Sequence, residues 1–511
     1  MSDIQAGGKP KDREQWSGQL GFLMAAIGSA IGLGNIWRFP AVAYENGGGA
    51  FLVPYLVALL TAGIPAVLLD YAIGHKYRGS APLSFRRMHP KAEVIGWWQV
   101  LISFIIMVYY AVIIAWAGQY MFYSFDMAWG SDSAKFFNES FLQLGKAGTV
   151  SFTPVVGIFL SLLIVWVIVL VIIAGGIQKG LERANKFFLP LLVILFVAMV
   201  IRSVTLPGAF DGLNVFFEPN WSKLLDGKVW IAAYTQIFYS LSVCFGIMVT
   251  YSSYLGRKSN LTGSGCVAAF ANSSFEILAG IGVFATLGFM ATSQGVSISK
   301  LQGISGIGLS FVTFPQIISQ MPGGVIFGVI FFASLVLAGI TSLISLVQVV
   351  ASAFQDKFNW TPRRSALILG TIAMIVSLML FSTHTGMFTL DVIDSYINEL
   401  GVVSSAILSC VFVAVCVTKL PVLRAHLNSV SSIHVGKWWE LTIGFLLPAI
   451  LSSMFVTALA RYLYSGYGDY PSWYTTVFGW GPIVIGILLS FVFSFLPWRK
   501  NKEQIEFLEE K

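Results

Sequence analysis

Charge is the scarcest commodity in these 511 residues: Asp, Glu, Lys and Arg together make up 11%. A water-soluble domain carries roughly a quarter, so that class is excluded at the outset. Histidine and cysteine are nearly as scarce, at five and four. His75, His89, His426 and His434 fall in polar connections and His384 near the edge of an apolar run. No nucleophile-and-base pair or ligand cluster therefore stands at membrane depth, which argues against an intramembrane enzyme. Cys244, Cys266, Cys410 and Cys416 all lie inside apolar runs, so neither a disulfide framework nor a zinc site is implied. Basic residues exceed acidic ones by 31 to 24, but they are spread over short loops and build no patch for nucleic acid. Residues 1–19 are polar and mixed in charge, and the first apolar run is too long for the core of a cleavable signal peptide.

What is abundant is apolar. Hydrophobic residues make up 56% of the chain, with 41 Phe and a mean hydropathy of +0.78. Apolar stretches of about 20 residues recur, the length an α-helix needs to cross a bilayer. Window length predicts twelve spans, near 20–42, 51–73, 95–125, 154–175, 185–205, 229–254, 264–291, 322–354, 365–382, 388–418, 440–464 and 474–497. The chain is thus expected to be an all-α polytopic membrane protein whose solvent is the lipid bilayer. Basic residues concentrate in alternate connections, for example Lys76, Arg78, Arg86, Arg87 and Lys91, then Lys357, Arg363 and Arg364. By the positive-inside rule that side and both termini are cytoplasmic, in the inner (plasma) membrane of the cell. On the other side, 126–153 and 206–228 are longer and less basic, and 292–321 is amphipathic, as expected of a re-entrant cap.

Two spans are poor helices. In the first, Gly28, Gly32 and Gly34 fall within seven positions, each costing roughly 1 kcal/mol against alanine in a helix. Asn35 and Arg38 follow at membrane depth, where an Arg costs on the order of 3 kcal/mol. A small-residue packing helix would explain glycines alone, but not the Asn and Arg behind them. Unwound backbone is tolerated in a membrane where it lines a cavity, and its freed carbonyls and amides suit a small cation and a carboxylate. The sixth span is interrupted too, by Ser240, Leu241, Ser242, Val243, Cys244, Phe245 and Gly246 after Gln236. First and sixth hold equivalent places in two five-helix halves, the pattern of an inverted-repeat transporter with a midplane site. The organisation predicted is a segment 1–18, a first repeat 19–205, a loop 206–228, a second repeat 229–418, two further helices over 419–498, and a tail 499–511. The eighth span adds Ala338, Thr341, Ser342 and Ser345 at i, i+3, i+4 and i+7, one polar stripe on an apolar helix. Back-bonding of each hydroxyl to its own helix is the plainer account of any one of them.

These residues resemble the neurotransmitter:sodium symporter family. GSAIGLGNIWRFPAVAYENGGGAF in the first span, QIFYSLSVCFG in the sixth and LAGITS in the eighth carry the resemblance, with the paired tyrosines of the third span and Asp391 and Asp394 of the tenth. It implies a LeuT-like fold of twelve helices with a five-plus-five inverted repeat, and sodium-coupled symport of a small neutral amino acid by alternating access. Two sodium ions are implied. One would be held by the Ala30 carbonyl, Asn35, Ser240, Asn272 and the substrate itself. The other would be held by Gly28, Ile31 and Ala338 carbonyls with the Thr341 and Ser342 hydroxyls. The resemblance places the substrate among Ala30, Leu33, Gly34, Ile106, Tyr110, Tyr239, Ser240, Ser242, Phe245, Ser342 and Leu346. Arg38 with Asp394 would close the outer side, and Arg13 with Asp356, near Trp16, Tyr254 and Gln348, the cytoplasmic side.

Three departures refine the expectation. Amine-transporting relatives carry an aspartate where this chain has Gly32, so an amino acid is favoured over an amine. Cys244 replaces a frequent glycine and narrows the pocket toward small or medium side chains, while Tyr239 replaces the commoner phenylalanine of the outer lid. Glu276 stands where chloride-dependent relatives have serine, beside Tyr55, Gln236, Ser240 and Asn272. A carboxylate there would replace chloride, and by taking up a proton on the empty return step it could add proton antiport. The competing expectations are a transporter of betaine or taurine and a non-transporting sodium and amino acid sensor.

Overall fold

A computed structural model describes residues 14–301, 306–500 and 505–506. Among these residues the chain is helical, with two isolated bridges (Gly48 with Pro219, Pro154 with Thr383) and no strand. Ten helices are long and apolar enough to cross a membrane. They are α2 (Gly49–Tyr77), α3 (Pro90–Tyr123), α4 (Val156–Ala174), α5 (Ile177–Val204), α7 (Leu261–Gln294), α8 (Gly324–Phe358), α9 (Pro362–Phe381), α10 (Gly386–Cys416), α11 (Lys437–Tyr464) and α12 (Ser472–Phe495). Ahead of them α1a (Gln19–Ala30) and α1b (Leu33–Glu45) form one bent span with a 51° angle at the break. Between α5 and α7 lie α6a (Gly227–Ser240) and α6b (Ile247–Ser252), the second interrupted span. Among the described residues ten helices and one bent pair thus pass as spans, and the interrupted helix 6 occupies the place of the remaining one of the twelve expected.

The break in helix 1 follows from its residues. Ile31 and Gly32 leave the helical region for extended backbone, and the Asn35 side chain reaches back to accept the Gly32 amide at 2.9 Å. That contact satisfies one of the orphan donors at the start of α1b. The break in helix 6 takes a different form, because Ser242, Cys244 and Gly246 hold φ at 54°, 62° and 89°. Such left-handed backbone comes readily to glycine and is strained for serine and cysteine.

Helix α3 lies at the centre and α12 at the rim, as their shares of buried residues show. Small residues let the central helices approach: a Cβ on Gly339 of α8 would meet Ile114 of α3 at 2.5 Å. At one end of the bundle a buried ion pair joins the same two helices, Lys357 Nζ to Glu93 Oε1 at 2.5 Å. Glu93 also accepts from Arg86 (2.6 Å), from the Trp97 indole (3.0 Å) and from the Trp498 indole (2.9 Å). Both carboxylate oxygens thus have donors, the condition under which a buried charge is tolerated. Where a cap is expected, the described residues of 292–321 form short helical pieces, including Gly306–Gly308 and Phe314–Gln320, while 302–305 lie outside the described residues.

Candidate functional site

The two breaks face one cavity of about 480 Å³. Its walls include all the residues predicted to meet substrate: Ala30, Leu33 and Gly34 from helix 1, Ile106 and Tyr110 from α3, Tyr239, Ser240, Ser242 and Phe245 from helix 6, and Ser342 and Leu346 from α8. The Leu33 amide donates to Tyr110 Oη at 3.2 Å, so main chain and phenol converge on one spot. Gly32 is bare against that spot. A Cβ there would lie 3.0 Å from Ser342 Oγ and 3.1 Å from Tyr110 Oη.

The residues predicted for the first ion are assembled. Asn35 Nδ2 donates to Asn272 Oδ1 at 2.8 Å and approaches Ser240 Oγ at 3.4 Å, while Asn272 Nδ2 donates to the same Ser240 hydroxyl. Both asparagines are buried, and Ala30 lies on the adjacent cavity wall. Those for the second ion converge as well. Ser342 Oγ points at the Ser29 and Ile31 carbonyls, at 3.3 and 3.5 Å, and Thr341 Oγ1 back-bonds to Leu337 and to Ala338 at 3.1 and 2.9 Å. A Cβ on Gly28 would sit 3.5 Å from Thr341 Cβ, so helix 1 and α8 are in contact here. The back-bonding expected as the plainer account is thus present in Thr341, on a hydroxyl that also faces the break. Sodium prefers neutral and anionic oxygens, and the residues of both clusters offer oxygens and no cationic side chain.

Beside the first cluster Glu276 is fully buried and accepts hydrogen bonds from Tyr55 Oη and from Gln236 Nε2, the latter at 2.6 Å. It stands one helical turn beyond Asn272, so its carboxyl group lies next to that oxygen cluster.

Three comparisons bear on what this geometry belongs to. The model of the sodium:neurotransmitter symporter family matches residues 13–134 and 127–501. The chain belongs to the sodium:neurotransmitter symporter family. An uncharacterized sodium-dependent transporter of Methanocaldococcus jannaschii is 41% identical over 95% of this chain and 97% of its own. The sodium- and chloride-dependent GABA transporter 2 of Homo sapiens is 31% identical over 92% of this chain and 84% of its own. Among solved structures, MhsT in complex with L-phenylalanine superposes with a TM-score of 0.73 at 32% identity, covering 88% of this chain and 100% of that one. This symporter is therefore a sodium-dependent membrane transporter of the LeuT-like fold and not an enzyme.

One expected charged gate of this symporter stands apart in this arrangement. Among the described residues Arg38 and Asp394 make no ion pair. The Arg38 guanidinium instead lies 4.0 Å from the centre of the Tyr239 ring, and Asp394 accepts from Tyr109 Oη at 2.6 Å and Asn398 at 2.8 Å. The cavity consequently runs past both residues to Asp391, Met387 and Gly306–Gly308. In this arrangement each of the two charges is engaged by a nearer partner. At the opposite end Arg13 lies outside the described residues. Its expected partner Asp356 accepts from the Ser80 amide at 2.8 Å and from Lys500 at 2.7 Å. Trp16, Tyr254 and Gln348 do gather there: the Trp16 indole donates to the Tyr251 carbonyl at 2.9 Å, and Gln348 to Tyr254 Oη at 3.0 Å.

Sequence reasoning missed the residues that hold the helix 6 break open in this symporter. Asp70 of α2, fully buried, accepts the Cys244 amide at 2.9 Å. Ser405 of α10 donates to the Cys244 carbonyl at 2.6 Å and Ser103 of α3 to the Phe245 carbonyl at 2.7 Å. Three helices thus satisfy main-chain groups that an intact helix would have paired. The legible signal was Asp70 itself, an ionisable residue deep in an apolar span. Replacing it should read out as lost stability. Asp70→Ala leaves the Cys244 amide unpaired, at a cost of about 1–3 kcal/mol, and lowers the melting temperature of the purified protein. Asp70→Asn, which keeps an acceptor, is expected to lose less.

Proposed function

We propose that this symporter imports a neutral L-amino acid, coupled to two sodium ions and independent of chloride. The observation that carries the reading is Gly32: it leaves open the space where Tyr110 Oη, Ser342 Oγ and the exposed main chain of α1b meet. A carboxylate fits there, met by a phenol and by amides at a helix N-terminus. The first ion, at Ala30, Asn35, Ser240 and Asn272, takes a further oxygen from the substrate, so ion and substrate bind interdependently. The second ion takes Gly28, Ile31, Ala338, Thr341 and Ser342. Ile106, Tyr239, Ser242, Phe245 and Leu346 enclose the side chain. MhsT, a relative of similar extent, was solved with L-phenylalanine, which supports the amino acid class.

Glu276 supplies the negative charge that chloride supplies elsewhere, and a proton taken up by it on the return step would add proton antiport. Arg38 and Asp394 approach as the outer side closes, and Asp356, with Arg13, opens as the cytoplasmic side does. Exposed pairs are worth roughly 0–1 kcal/mol, weak enough to alternate. The protein sits in the plasma membrane with both termini cytoplasmic. Two sodium ions crossing about 100 mV release about 4.6 kcal/mol, enough for on the order of 10³-fold accumulation of a neutral substrate.

Uptake of labelled amino acids into proteoliposomes tests the reading, with sodium chloride, sodium gluconate or potassium chloride outside. Transport is expected in both sodium salts and absent in potassium. Loss in gluconate would overturn the role of Glu276. Movement of betaine or taurine in place of every amino acid would overturn the substrate class, and sodium-dependent binding without uptake would point to a sensor.

A further inference from the structure

One buried oxygen at the helix 1 and α8 contact has no explanation in the site as described. Asn185, near the start of α5, is completely buried. Its Nδ2 donates to the Leu181 carbonyl one turn earlier at 2.9 Å, which fixes the orientation of the amide and turns Oδ1 away from its own helix. That oxygen has no hydrogen-bond partner among the described residues. It abuts Gly28: a Cβ built on Gly28 would overlap Asn185 Oδ1 while touching Thr341 Cβ at 3.5 Å. An acceptor without a donor therefore stands where Gly28 of helix 1 and Thr341 of α8 meet. A buried unsatisfied amide oxygen is costly.

We propose that Asn185 Oδ1 is a further oxygen of the second sodium site, meeting the ion or its water from the α5 side. The proposal rests on the reading of Gly28, Ile31, Ala338, Thr341 and Ser342 as that site. An amide oxygen is the donor type sodium accepts, and it adds dipole without adding charge. It also gives α5 a direct interest in whether the ion is bound, which the five residues on helix 1 and α8 do not.

Direct binding of radioactive sodium to the purified protein, without substrate, tests the assignment. Asn185→Ala is expected to raise the sodium concentration for half-saturation about tenfold, the usual effect of losing a supporting ligand. Substrate affinity at saturating sodium is expected to stay unchanged. Asn185→Asp, nearly the same shape with a charged oxygen, is expected to lower the half-saturating concentration, and it carries the test alone if the alanine variant does not fold. Thr341→Ala separates the two readings. If it weakens sodium binding while both Asn185 variants bind as the unaltered protein does, the Asn185 assignment is wrong and the site stands. If Thr341→Ala also binds normally, the site itself is wrong.

Discussion

Glu276→Ser is expected to turn a chloride-indifferent transporter into one that fails without chloride. The substitution removes the carboxylate from a fully buried position and leaves Tyr55 Oη and Gln236 Nε2 directed at empty space. A sodium ion bound at the neighbouring Asn35 and Asn272 would then lack its nearest negative charge. Breaking a buried charge pairing costs roughly 3–5 kcal/mol, so uptake in sodium gluconate is expected to fall by about two orders of magnitude or more. Chloride can accept the same two donors together with the new serine hydroxyl, and uptake should return as it is added. The check is a chloride titration of initial uptake rate at fixed sodium in proteoliposomes. A serine variant that transports equally well in gluconate and chloride would show that Glu276 serves packing alone.

Gly32→Asp is expected to abolish amino acid transport and spare binding of the corresponding amine. Even the first carbon of a side chain at this position would lie 3.0 Å from Ser342 Oγ and 3.1 Å from Tyr110 Oη, inside ordinary contact distance. The carboxylate beyond it would occupy the space proposed for the substrate's own carboxylate and repel it. Like charges juxtaposed in a binding site cost several kcal/mol, which corresponds to roughly a hundredfold loss of affinity or more. A decarboxylated analogue of the transported amino acid lacks the clashing group and gains a counter-ion for its ammonium. Competition by both compounds against a bound label, in the unaltered protein and in the G32D variant, measures the switch. If G32D binds the amino acid as the unaltered protein does, the carboxylate lies elsewhere in the cavity and Gly32 serves helix packing.

Much of this was readable in the residues because membranes punish irregularity. Gly28, Gly32, Asn35 and Arg38 are so costly in a plain span that they announced the first break, and the 51° bend appears there. Ser240, Ser242 and Gly246, after Gln236, announced the second in the same way. The cavity walls were named from the family resemblance, and helical spacing agrees with it in placing Ile106 and Tyr110 on one face of α3. What was not readable depended on partners distant in sequence. Ser103 and Ser405 look like ordinary back-bonding serines until the carbonyls of Phe245 and Cys244 are brought to them. Trp498 on Glu93 and Lys500 on Asp356 join residues just past α12 to residues far earlier in the chain, and nothing in the local sequence PWRK marks them. The separation of Arg38 from Asp394 in this arrangement was not readable for another reason: charges imply a contact somewhere in a cycle, not the stage of the cycle in which it is made.

Next to Gly32 the cavity meets the side chains of Tyr110 and Ser342, and the Leu33 main-chain amide donates to Tyr110 Oη. Point changes at Leu33 leave its amide in place, so the grip proposed for the constant end of an amino acid would be insulated from drift in side-chain identity. The variable end is proposed to face Ile106, Tyr239, Ser242, Phe245 and Leu346, each of which can change singly. Substrate preference and the ability to hold an amino acid at all are thereby inherited separately, and new diets can be acquired without first losing the old hold.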